Sequence, residues 1–237
     1  MCGRYVQVTP PEQLAAAFEV DAVRTDPLPA RYNVAPSQDV YAVIDRDGQR
    51  RLGSLRWGFV PHWTAQLRGA RTPINARLET VATSRMFADA FRRRRCLLPA
   101  DGFYEWQAAA REGDAKQPHH LHRPDGAPFA FGGIWTVWRD PEALAAADGD
   151  RDAVDPIFSA AIVTRAAEGE LTRIHHRVPL IVPRDGWDAW LHAEEDEADH
   201  LATRMDALPP PELIAEPITT RVNSVRNEGP ELLQPAG

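Results

Sequence analysis

The chain has 237 residues, 43% of them hydrophobic and 26% charged, which is ordinary for a globular protein with a substantial core. It contains no apolar run of about 18 residues, which excludes a membrane-spanning helix, and we expect no signal peptide and a cytoplasmic location. The two cysteines, Cys2 and Cys96, are too few for a disulfide framework or a cysteine-only zinc site, so we predict no metal and no cofactor.

Charge is segregated along the chain, although the net charge is -7. The stretch 66–95 is rich in arginine and the stretch 185–216 is rich in acids. Segregated charge is typical of a protein with a basic nucleic-acid face, but solvated helix faces explain the same pattern. Of the 27 basic residues only Lys116 is a lysine. Arginine stays protonated, so Lys116 and the α-amine are the candidate amine nucleophiles.

In chain order, the first half combines short helices with strands. A capping box with prolines in the first turn predicts a helix from Thr9 to about Phe18. A second short helix, capped by Thr83 or Ser84, is predicted at Ser84–Phe91. Strands are predicted at Val40–Ile44, Leu52–Phe59, Cys96–Pro99 and Gly102–Trp106, the first two joined by a hairpin turn at Asp47-Gly48.

In the second half, strand patterns dominate. An Asp125-Gly126 turn predicts a hairpin between His119–His122 and Pro128–Trp138, and Pro141–Asp155 is predicted to be an exposed loop. Further strands are predicted at Ile157–Thr164, Pro179–Val182 and Ile218–Val222, the last closing the sheet, and helices at Trp187–Leu191 and Ala198–Ala207. Hairpin-joined strands with few helices favour an α+β fold with a largely antiparallel sheet, in one domain over 1–237.

Cys2 follows the initiator methionine, so removal of Met1 would give it a free α-amine beside its thiol. Such a 1,2-aminothiol traps an aldehyde in two steps: the amine forms a Schiff base, and the thiol then closes a five-membered thiazolidine ring. An α-amine has a pKa of about 7.7–8.0, so roughly a tenth of it is neutral at pH 7. An incidental cysteine at position 2 is the alternative.

Two further stretches carry polar groups that suit nucleic acid. Asn75, between apolar residues, can orient an amine or a sugar hydroxyl, or it can cap a turn. Arg77 and Arg85 can hold consecutive phosphates, or they can be solvated surface arginines. Aromatic residues in the stretch 57–63 offer stacking platforms for bases, although core packing explains most tryptophans.

Candidate acid–base groups lie in two motifs. Glu105 stands between aromatic residues in a strand-like run, where desolvation raises a carboxyl pKa toward that of a useful general acid; a strand-edge glutamate facing water is the alternative. His175 and His176 precede a strand and can serve as an acid–base pair or pack without a catalytic role. The spacing of these two histidines matches no metal-binding motif. The same holds for His119, His120 and His122, whose spacing is explained by alternation along a strand.

Taken together and in order, these motifs resemble the SOS-response-associated peptidase (SRAP) family of abasic-site processing proteins. The matching stretches are MCGRY at the start, RYNVAP at 31–36, WGFVP at 57–61, INARLE at 74–79, TSRMF at 83–87, ADGFYEW at 100–106, IHHRVP at 174–179 and VNS at 222–224. Each is weak alone, whereas the ordered set spans nearly the whole chain. Val178 departs from the methionine of many members.

The resemblance implies a sheet-rich α+β pseudo-barrel with flanking short helices. It also implies covalent capture of the ring-opened sugar aldehyde of an abasic site in single-stranded DNA, through a thiazolidine that shields the lesion. By position, Cys2 is the nucleophile, Asn75 positions the α-amine and sugar, Glu105 is the acid–base in Schiff-base steps, and His175 assists ring opening and reversal. Thr164 would lie near the sugar. Phosphates would be held by Arg4, Arg77, Arg85 and Arg177.

Other functions stay open on the sequence. The resemblance implies a peptidase activity whose only substrate could be the chain's own Met1. Glutamine amidotransferases also begin Met-Cys-Gly, so an N-terminal-cysteine amidohydrolase is an alternative, although it explains neither the arginines nor the other motifs. A non-covalent single-strand binder with an incidental Cys2 is a third hypothesis. We expect a monomer.

Overall fold

The chain folds around strands, as its sequence pattern predicts. The structure is a computed structural model that describes residues 2–109, 111 and 115–236. Within them the strands are β1 (Tyr5–Gln7), β2 (Ala22–Val23), β3 (Arg31–Val34), β4 (Asp39–Arg46), β5 (Gln49–Trp57), β6 (Asn75–Arg77), β7 (Arg95–Ala100), β8 (Gly102–Gln107), β9 (Gln117–His122), β10 (Phe129–Trp138), β11 (Ile157–Ala166), β12 (Arg177–Pro179), β13 (Ile181–Val182) and β14 (Ile214–Pro217).

Short helices flank these strands. The α-helices are α1 (Pro11–Ala17), α2 (Leu78–Val81), α3 (Ala88–Arg93), α4 (Pro141–Ala146), α5 (Trp187–His192) and α6 (Ala198–Ala207). Single 3₁₀ turns are formed by Gly169–Arg173, Arg184–Gly186, Glu195–Glu197, Thr220–Asn223 and Pro230–Leu233. Among the described residues no helix is long and apolar enough to cross a membrane.

Five strands close into a ring. β4 pairs antiparallel with β5 and β7, and β10 pairs antiparallel with β7 and β11. The ring closes because β11 also pairs with β5, in parallel, where Ala160 lies opposite Trp57. A second sheet has the order β14-β9-β8-β1-β3 and is antiparallel throughout. The observed architecture confirms the predicted α+β, mostly antiparallel pseudo-barrel.

Apolar side chains fill both sides of the ring. One end of its interior is plugged by Tyr5 from β1, whose ring lies 5.2 Å from that of Trp57 and 5.6 Å from that of Phe131. The outer face is covered by helices, where Phe18 stacks on Trp187 with centroids 4.8 Å apart. Burial of these large side chains contributes about 25 cal/mol per Å² of apolar area.

Several predicted elements agree with the structure. The turn between β4 and β5 uses Asp47 and Gly48, both with positive φ, as a two-residue hairpin turn requires. The helix near residue 11 forms, but Pro10 occupies its N-cap position and no side chain caps it. The Thr9 hydroxyl donates instead to Asp101, so the predicted capping box is wrong.

The predicted loop at Pro141–Asp155 is wrong in its first part, which forms α4. Asp140 caps that helix by accepting from the backbone N–H of Glu142, and Pro141 occupies its first turn. The predicted helix at Ser84–Phe91 begins later, at Ala88, because residues 84–87 form a turn.

The Asp125-Gly126 turn does not join two paired strands. β9 pairs with β8 and β14, whereas β10 belongs to the ring, so the predicted hairpin is wrong. Pro124 and Pro128 flank the turn and lack the N–H groups that a continuing ladder needs. The predicted closing strand at Ile218–Val222 is also wrong: β14 precedes it, and Thr219 caps a 3₁₀ turn there.

Candidate active site

The first residues are fixed in place by strand β1. β1 pairs antiparallel with β8, and the pairing extends toward the N-terminus because the Tyr104 N–H donates to the Arg4 carbonyl oxygen at 3.0 Å. This alignment brings Cys2 alongside the end of β8 that carries Glu105. The Cys2 Sγ lies 3.8 Å from the Arg4 carbonyl oxygen, to which its S–H can donate.

The Cys2 thiol is held in its neutral form. Its side chain is fully buried. Burial, and then the nearby charge of Glu105, raise the pKa of Cys2 well above its ordinary value. A thiolate is therefore disfavoured, and any attack by this sulfur needs a base to take its proton. The predicted removal of Met1 concerns a residue that lies outside the described residues.

Asn75 contacts Cys2 directly. It begins β6, which pairs in parallel with β11 so that Asn75 lies opposite Ile162. Its side-chain Nδ2 donates to the Cys2 carbonyl oxygen at 2.9 Å. The other amide atom, Oδ1, is buried and has no hydrogen-bond partner in the described part of the chain. An unused buried acceptor next to Cys2 suits an α-amine or a sugar hydroxyl.

Glu105 has the properties of an acid–base group at neutral pH. It lies on β8 and is 3% exposed. Burial raises the pKa of Glu105 to about 7, against the partial opposition of positive charges that include Lys116. The sequence-based expectation of a desolvated carboxyl between aromatic residues is thus met. At pH 7 the group exists in both protonation states, so it can donate or accept a proton.

His175 lies just before β12, and its ring is half-buried. Its Nδ1 accepts the backbone N–H of Arg177 at 3.0 Å. Partial burial lowers the pKa of His175 below its ordinary value, which keeps the imidazole neutral at pH 7. The ring of His176 stacks on it, with centroids 4.3 Å apart.

Glu105 and His175 line a common cleft of about 380 Å³. Its lining residues are Glu105, Trp106, Lys116, His175 and Asn223. The Trp106 indole N–H donates to the Asn223 side-chain oxygen at 2.7 Å, which fixes one wall. Sequence reasoning gave no role to Trp106, Asn223 or Lys116 in this cleft. In the sequence, Trp106 and Asn223 stand out only because they lie inside motifs that match the family, and Lys116 only because it is the single lysine.

A buried asparagine ties the start of the chain to its last segment. Asn33 is 1% exposed, and its side-chain oxygen accepts from the Arg4 guanidinium at 3.0 Å. Its amide group donates to the carbonyl oxygens of Ser224 and Asn227, both at 3.0 Å. Arg4 also donates to the carbonyl oxygen of Val222 at 3.1 Å. This network explains why the RYNVAP and VNS motifs accompany the N-terminal motif.

Arg177 and Thr164 form a buried network with Glu79. The Arg177 guanidinium makes hydrogen bonds with both carboxylate oxygens of Glu79, and with the Thr164 backbone and side-chain oxygens at 2.6 and 3.2 Å. Arg177 is 7% exposed and Thr164 is fully buried. The pKa of Glu79 is lowered by its hydrogen bond with Arg177. The predicted DNA contacts of Arg177 and Thr164 stay predictions, since neither side chain faces solvent here.

Arg77 and Arg85 are exposed on the surface beyond Asn75. Neither forms an ion pair within the described ranges, so both are available to phosphate. The arginine-rich stretch as a whole, however, is not one basic face. Arg95 is buried and donates to carbonyl oxygens of α3 and α5, while Arg93 and Arg94 pair with Asp89. The number of arginines in this stretch of the sequence therefore overestimates how much basic surface the folded protein has.

The second histidine cluster lies on β9, where His119 is opposite Glu105 of β8. His120 and His122 stack with ring centroids 4.7 Å apart, and His122 lies 3.4 Å from Glu216 on β14. Burial lowers the pKa of His120 to about 4, so it is neutral. Among the residues that the structure describes, no group of three or more His, Cys, Asp or Glu side chains is arranged to hold a metal ion.

Known proteins share both the sequence and the architecture. An abasic site processing protein of Escherichia coli, YedK, is 35% identical and aligns over 99% of this chain and all of its own length. Another from Bacillus subtilis, YoqW, is 29% identical over 99% of both chains. The abasic site processing protein HMCES of Gallus gallus is 28% identical, over 86% of this chain and 66% of its own.

Solved structures agree in fold. A protein from Bacteroides thetaiotaomicron superposes with a TM-score of 0.77 at 20% identity, covering 99% of this chain and all of that one. A phage-related protein from Bordetella bronchiseptica superposes with a TM-score of 0.69 at 27% identity, covering 93% and 95% of the two chains. The sequence profile named SOS response associated peptidase (SRAP) matches residues 1–225. The chain therefore belongs to the SRAP family.

Proposed function

We propose that this protein captures abasic sites in single-stranded DNA as a covalent thiazolidine on a mature N-terminal Cys2. One observation carries the proposal: Asn75 holds the Cys2 carbonyl at 2.9 Å while Glu105, whose pKa burial raises to about 7, lies beside the Cys2 thiol and lines the open cleft. An aminothiol, an amide that orients it and a carboxyl that titrates near neutral pH are what aldehyde capture needs. The names of the relatives support an abasic site as the substrate.

The first step opens the sugar and forms the Schiff base. His175, neutral at pH 7, helps move the proton from the C1′ hydroxyl to the ring oxygen, which frees the aldehyde. The Cys2 α-amine attacks the aldehyde carbon, and Glu105 in its acid form donates a proton as the carbinolamine loses water. The unused Oδ1 of Asn75 accepts from the amine and orients its lone pair.

The second step closes the ring. Because its pKa is raised, the Cys2 thiol is protonated when the Schiff base forms. Glu105, now a carboxylate, takes the thiol proton as the sulfur bonds to the imine carbon, and the proton passes to the imine nitrogen. The net change is one new C–N bond, one new C–S bond and the release of one water. The buried thiol therefore favours an order in which the amine reacts first.

Thiazolidine formation requires that Met1 be removed first. We propose that the same site residues catalyse this cleavage within their own chain. This is the only peptidase reaction that we assign. Hydrolysis of glutamine by an N-terminal-cysteine amidohydrolase is the second candidate, but it requires sulfur attack as the first step, and the raised pKa of Cys2 disfavours that step.

The test is intact-protein mass, measured before and after incubation with single-stranded DNA that contains one abasic site, without a reducing trap. We expect loss of the Met1 mass and an adduct equal to protein plus DNA minus one water. Cys2→Ala is the matched control and should give no stable adduct. A mature N-terminus without an adduct contradicts the proposal, and ammonia release from glutamine would then establish the amidohydrolase.

A further inference from the structure

The end of the ring opposite the Tyr5 plug is open and holds a large cavity of about 700 Å³. We call it the mouth cavity. Its wall comes from inward-facing positions of the ring, among them Ile44 on β4, Arg51 on β5, Trp135 on β10 and Phe158 on β11. At the plugged end, Tyr5 contacts Trp57, which follows Arg51 along β5, and Phe131, which precedes Trp135 along β10. The mouth cavity and the Tyr5 plug therefore lie at opposite ends of the ring.

Small residues create the space in this cavity. Ala42 and Gly53 lie opposite each other across β4 and β5, and both line it. A Cβ added to Gly53 would meet nothing within 4 Å, and its backbone is not in the left-handed region, so no turn requires glycine there. Deeper in the ring the packing is tight, since a Cβ on Gly133 would lie 2.8 Å from the Cys96 sulfur. The void is therefore confined to the mouth.

One wall of the mouth cavity is aromatic. The rings of Trp135 and Phe158 lie 6.2 Å apart at an interplanar angle of 48°. Phe158 is 43% exposed, which makes it one of the few large apolar side chains left open to solvent among the described residues. Two aromatic rings at the wall of an open cavity provide a surface on which a planar ring can stack.

Guanidinium groups surround the aromatic wall, and two of them have weak partners or none. Arg24 forms no ion pair within the part of the chain that the structure describes. Arg51 lies 3.9 Å from the nearest carboxylate, that of the exposed Asp47, and its Nε is buried without a hydrogen-bond partner among the described residues. The lining carboxylate of Asp45 already lies 3.0 Å from His192 Nε2. The mouth cavity therefore offers positive charge to an anion.

We propose that the mouth cavity binds an undamaged nucleotide of single-stranded DNA, with the base on Trp135 and Phe158 and the phosphate on Arg24 and Arg51. A ligand with an aromatic ring and a negative charge can stack on the aromatic side chains and bind the arginines. The cavity volume of 700 Å³ lies within the range of known ligand cavities. The arginines stand at an open rim, where the neighbouring phosphates of a strand can continue outward. The choice of DNA rests on the proposed function.

The test is photochemical crosslinking of the full chain to an undamaged single strand that carries 5-iododeoxyuridine, with the attachment site mapped by mass spectrometry. We expect crosslinks at Trp135 or Phe158. Gly53→Phe fills the mouth cavity, Trp135→Leu removes the stacking surface and Arg51→Gln removes the charge. Each should weaken binding of the undamaged strand at least about fivefold, as expected for loss of one stacked base. Arg204→Gln, at an exposed position of α6, is the matched charge control and should change nothing.

The outcomes separate this inference from the proposed function. Adduct formation on Cys2 is measured in parallel with a minimal abasic oligonucleotide, and all three variants should retain it. Absence of that adduct in the wild type refutes the proposed function but leaves the crosslinking result intact. Crosslinks that avoid the mouth cavity, or binding unchanged in both Trp135→Leu and Arg51→Gln, overturn the inference. The inference is also overturned if a free nucleoside monophosphate competes for the cavity as effectively as an unlabelled single strand, since the ligand would then be a free nucleotide.

Discussion

Asn75 and Cys2 lie 73 residues apart in the sequence and are joined by a 2.9 Å hydrogen bond from the Asn75 amide to the Cys2 carbonyl. This bond fixes the backbone of Cys2, which carries the amine and the thiol of the proposed reaction. The same side chain offers an unused buried acceptor, so it is placed to orient the amine as well.

Asn75→Leu should therefore slow adduct formation by about tenfold, the value of one well-placed hydrogen bond. Binding to an undamaged strand should stay within about twofold of wild type, because the exposed arginines remain. Single-turnover adduct rates and fluorescence anisotropy give the two numbers. An equal loss in both would show that Asn75 acts in binding and not in positioning Cys2.

Glu105→Gln should slow adduct formation by a factor of about 10² or more, because general acid–base catalysis contributes about 10²–10⁴. In the wild type the Schiff-base step needs the acid form of Glu105 and the ring-closing step needs its carboxylate, so the rate of adduct formation should rise with pH up to about 7, where burial places the pKa of Glu105, and fall above it. The pH–rate profile of the variant should lack that rise. A profile that keeps it would assign the titration to another group.

The same substitution should raise stability at high pH. Burial raises the pKa of Glu105 from 4.5 to about 7, so the folded chain binds this proton more tightly than the unfolded chain. The stabilisation is complete below about pH 4.5 and is lost as pH rises through about 7. Above pH 7, Glu105→Gln should unfold with a free energy higher by up to about 3 kcal/mol, a difference that vanishes in acid. Thermal melts at both extremes measure it.

Arg77 and Arg85 are exposed and unpaired in the described ranges, so they should contribute counterion release on binding single strands. Arg77→Gln and Arg85→Gln should each reduce the slope of log affinity against log salt by about 0.7. Arg204→Gln is the control for a change of surface charge alone. An unchanged slope in both variants would reject their assignment to phosphate.

Arg177 should behave differently, because its guanidinium is buried against Glu79 and Thr164. Arg177→Gln should lower the free energy of unfolding by about 1–3 kcal/mol, since it leaves the partners of a charged hydrogen-bond network unsatisfied. The salt dependence of binding should not change. A reduced salt slope without loss of stability would instead support the phosphate contact that the family resemblance implies.

His175→Ala should slow reversal of the adduct more than its formation. Partial burial lowers the pKa of His175, so the neutral ring is present at pH 7 to exchange a proton with the sugar. Release of DNA from purified adduct, followed with time, gives one rate, and single-turnover capture gives the other. A larger effect on capture than on release would overturn this role.

The sequence predicted the strands of the ring and the Asp47-Gly48 turn because their signals are local: alternation, and residues that accept positive φ. It also brought out Cys2, Asn75 and Glu105 as chemistry-bearing residues, because each stands in a short and unusual context. It did not predict that His119–His122 and Pro128–Trp138 belong to different sheets. Pairing over long separations depends on which face each strand buries, and the turn between them carries no such information.

The supporting contacts of the site were also beyond sequence reasoning. Glu79 lies in the first turn of the short helix α2, and no sequence signal marks it as the partner of the buried Arg177. The arginines at 93–95 belong to the stretch whose charge was compatible with a nucleic-acid face, yet Arg93 and Arg94 pair with Asp89 of α3 and Arg95 donates to a carbonyl oxygen of α5. In both cases the residue type can occur on the surface or in the interior of a protein. Whether the side chain is exposed or buried depends on the packing of elements that are distant in sequence.

The hydrogen bonds from Arg4 to Val222 and from Asn33 to Ser224 and Asn227 have a consequence for synthesis. A ribosome adds residues in order, at about 5–20 per second, so Arg4 waits on the order of ten seconds or more for its partner 218 positions later. Until then Asn223 cannot brace Trp106, and the cleft lacks a wall. On the proposed function, a nascent chain therefore has an incomplete site, and we expect aldehyde capture only once the polypeptide is almost fully translated.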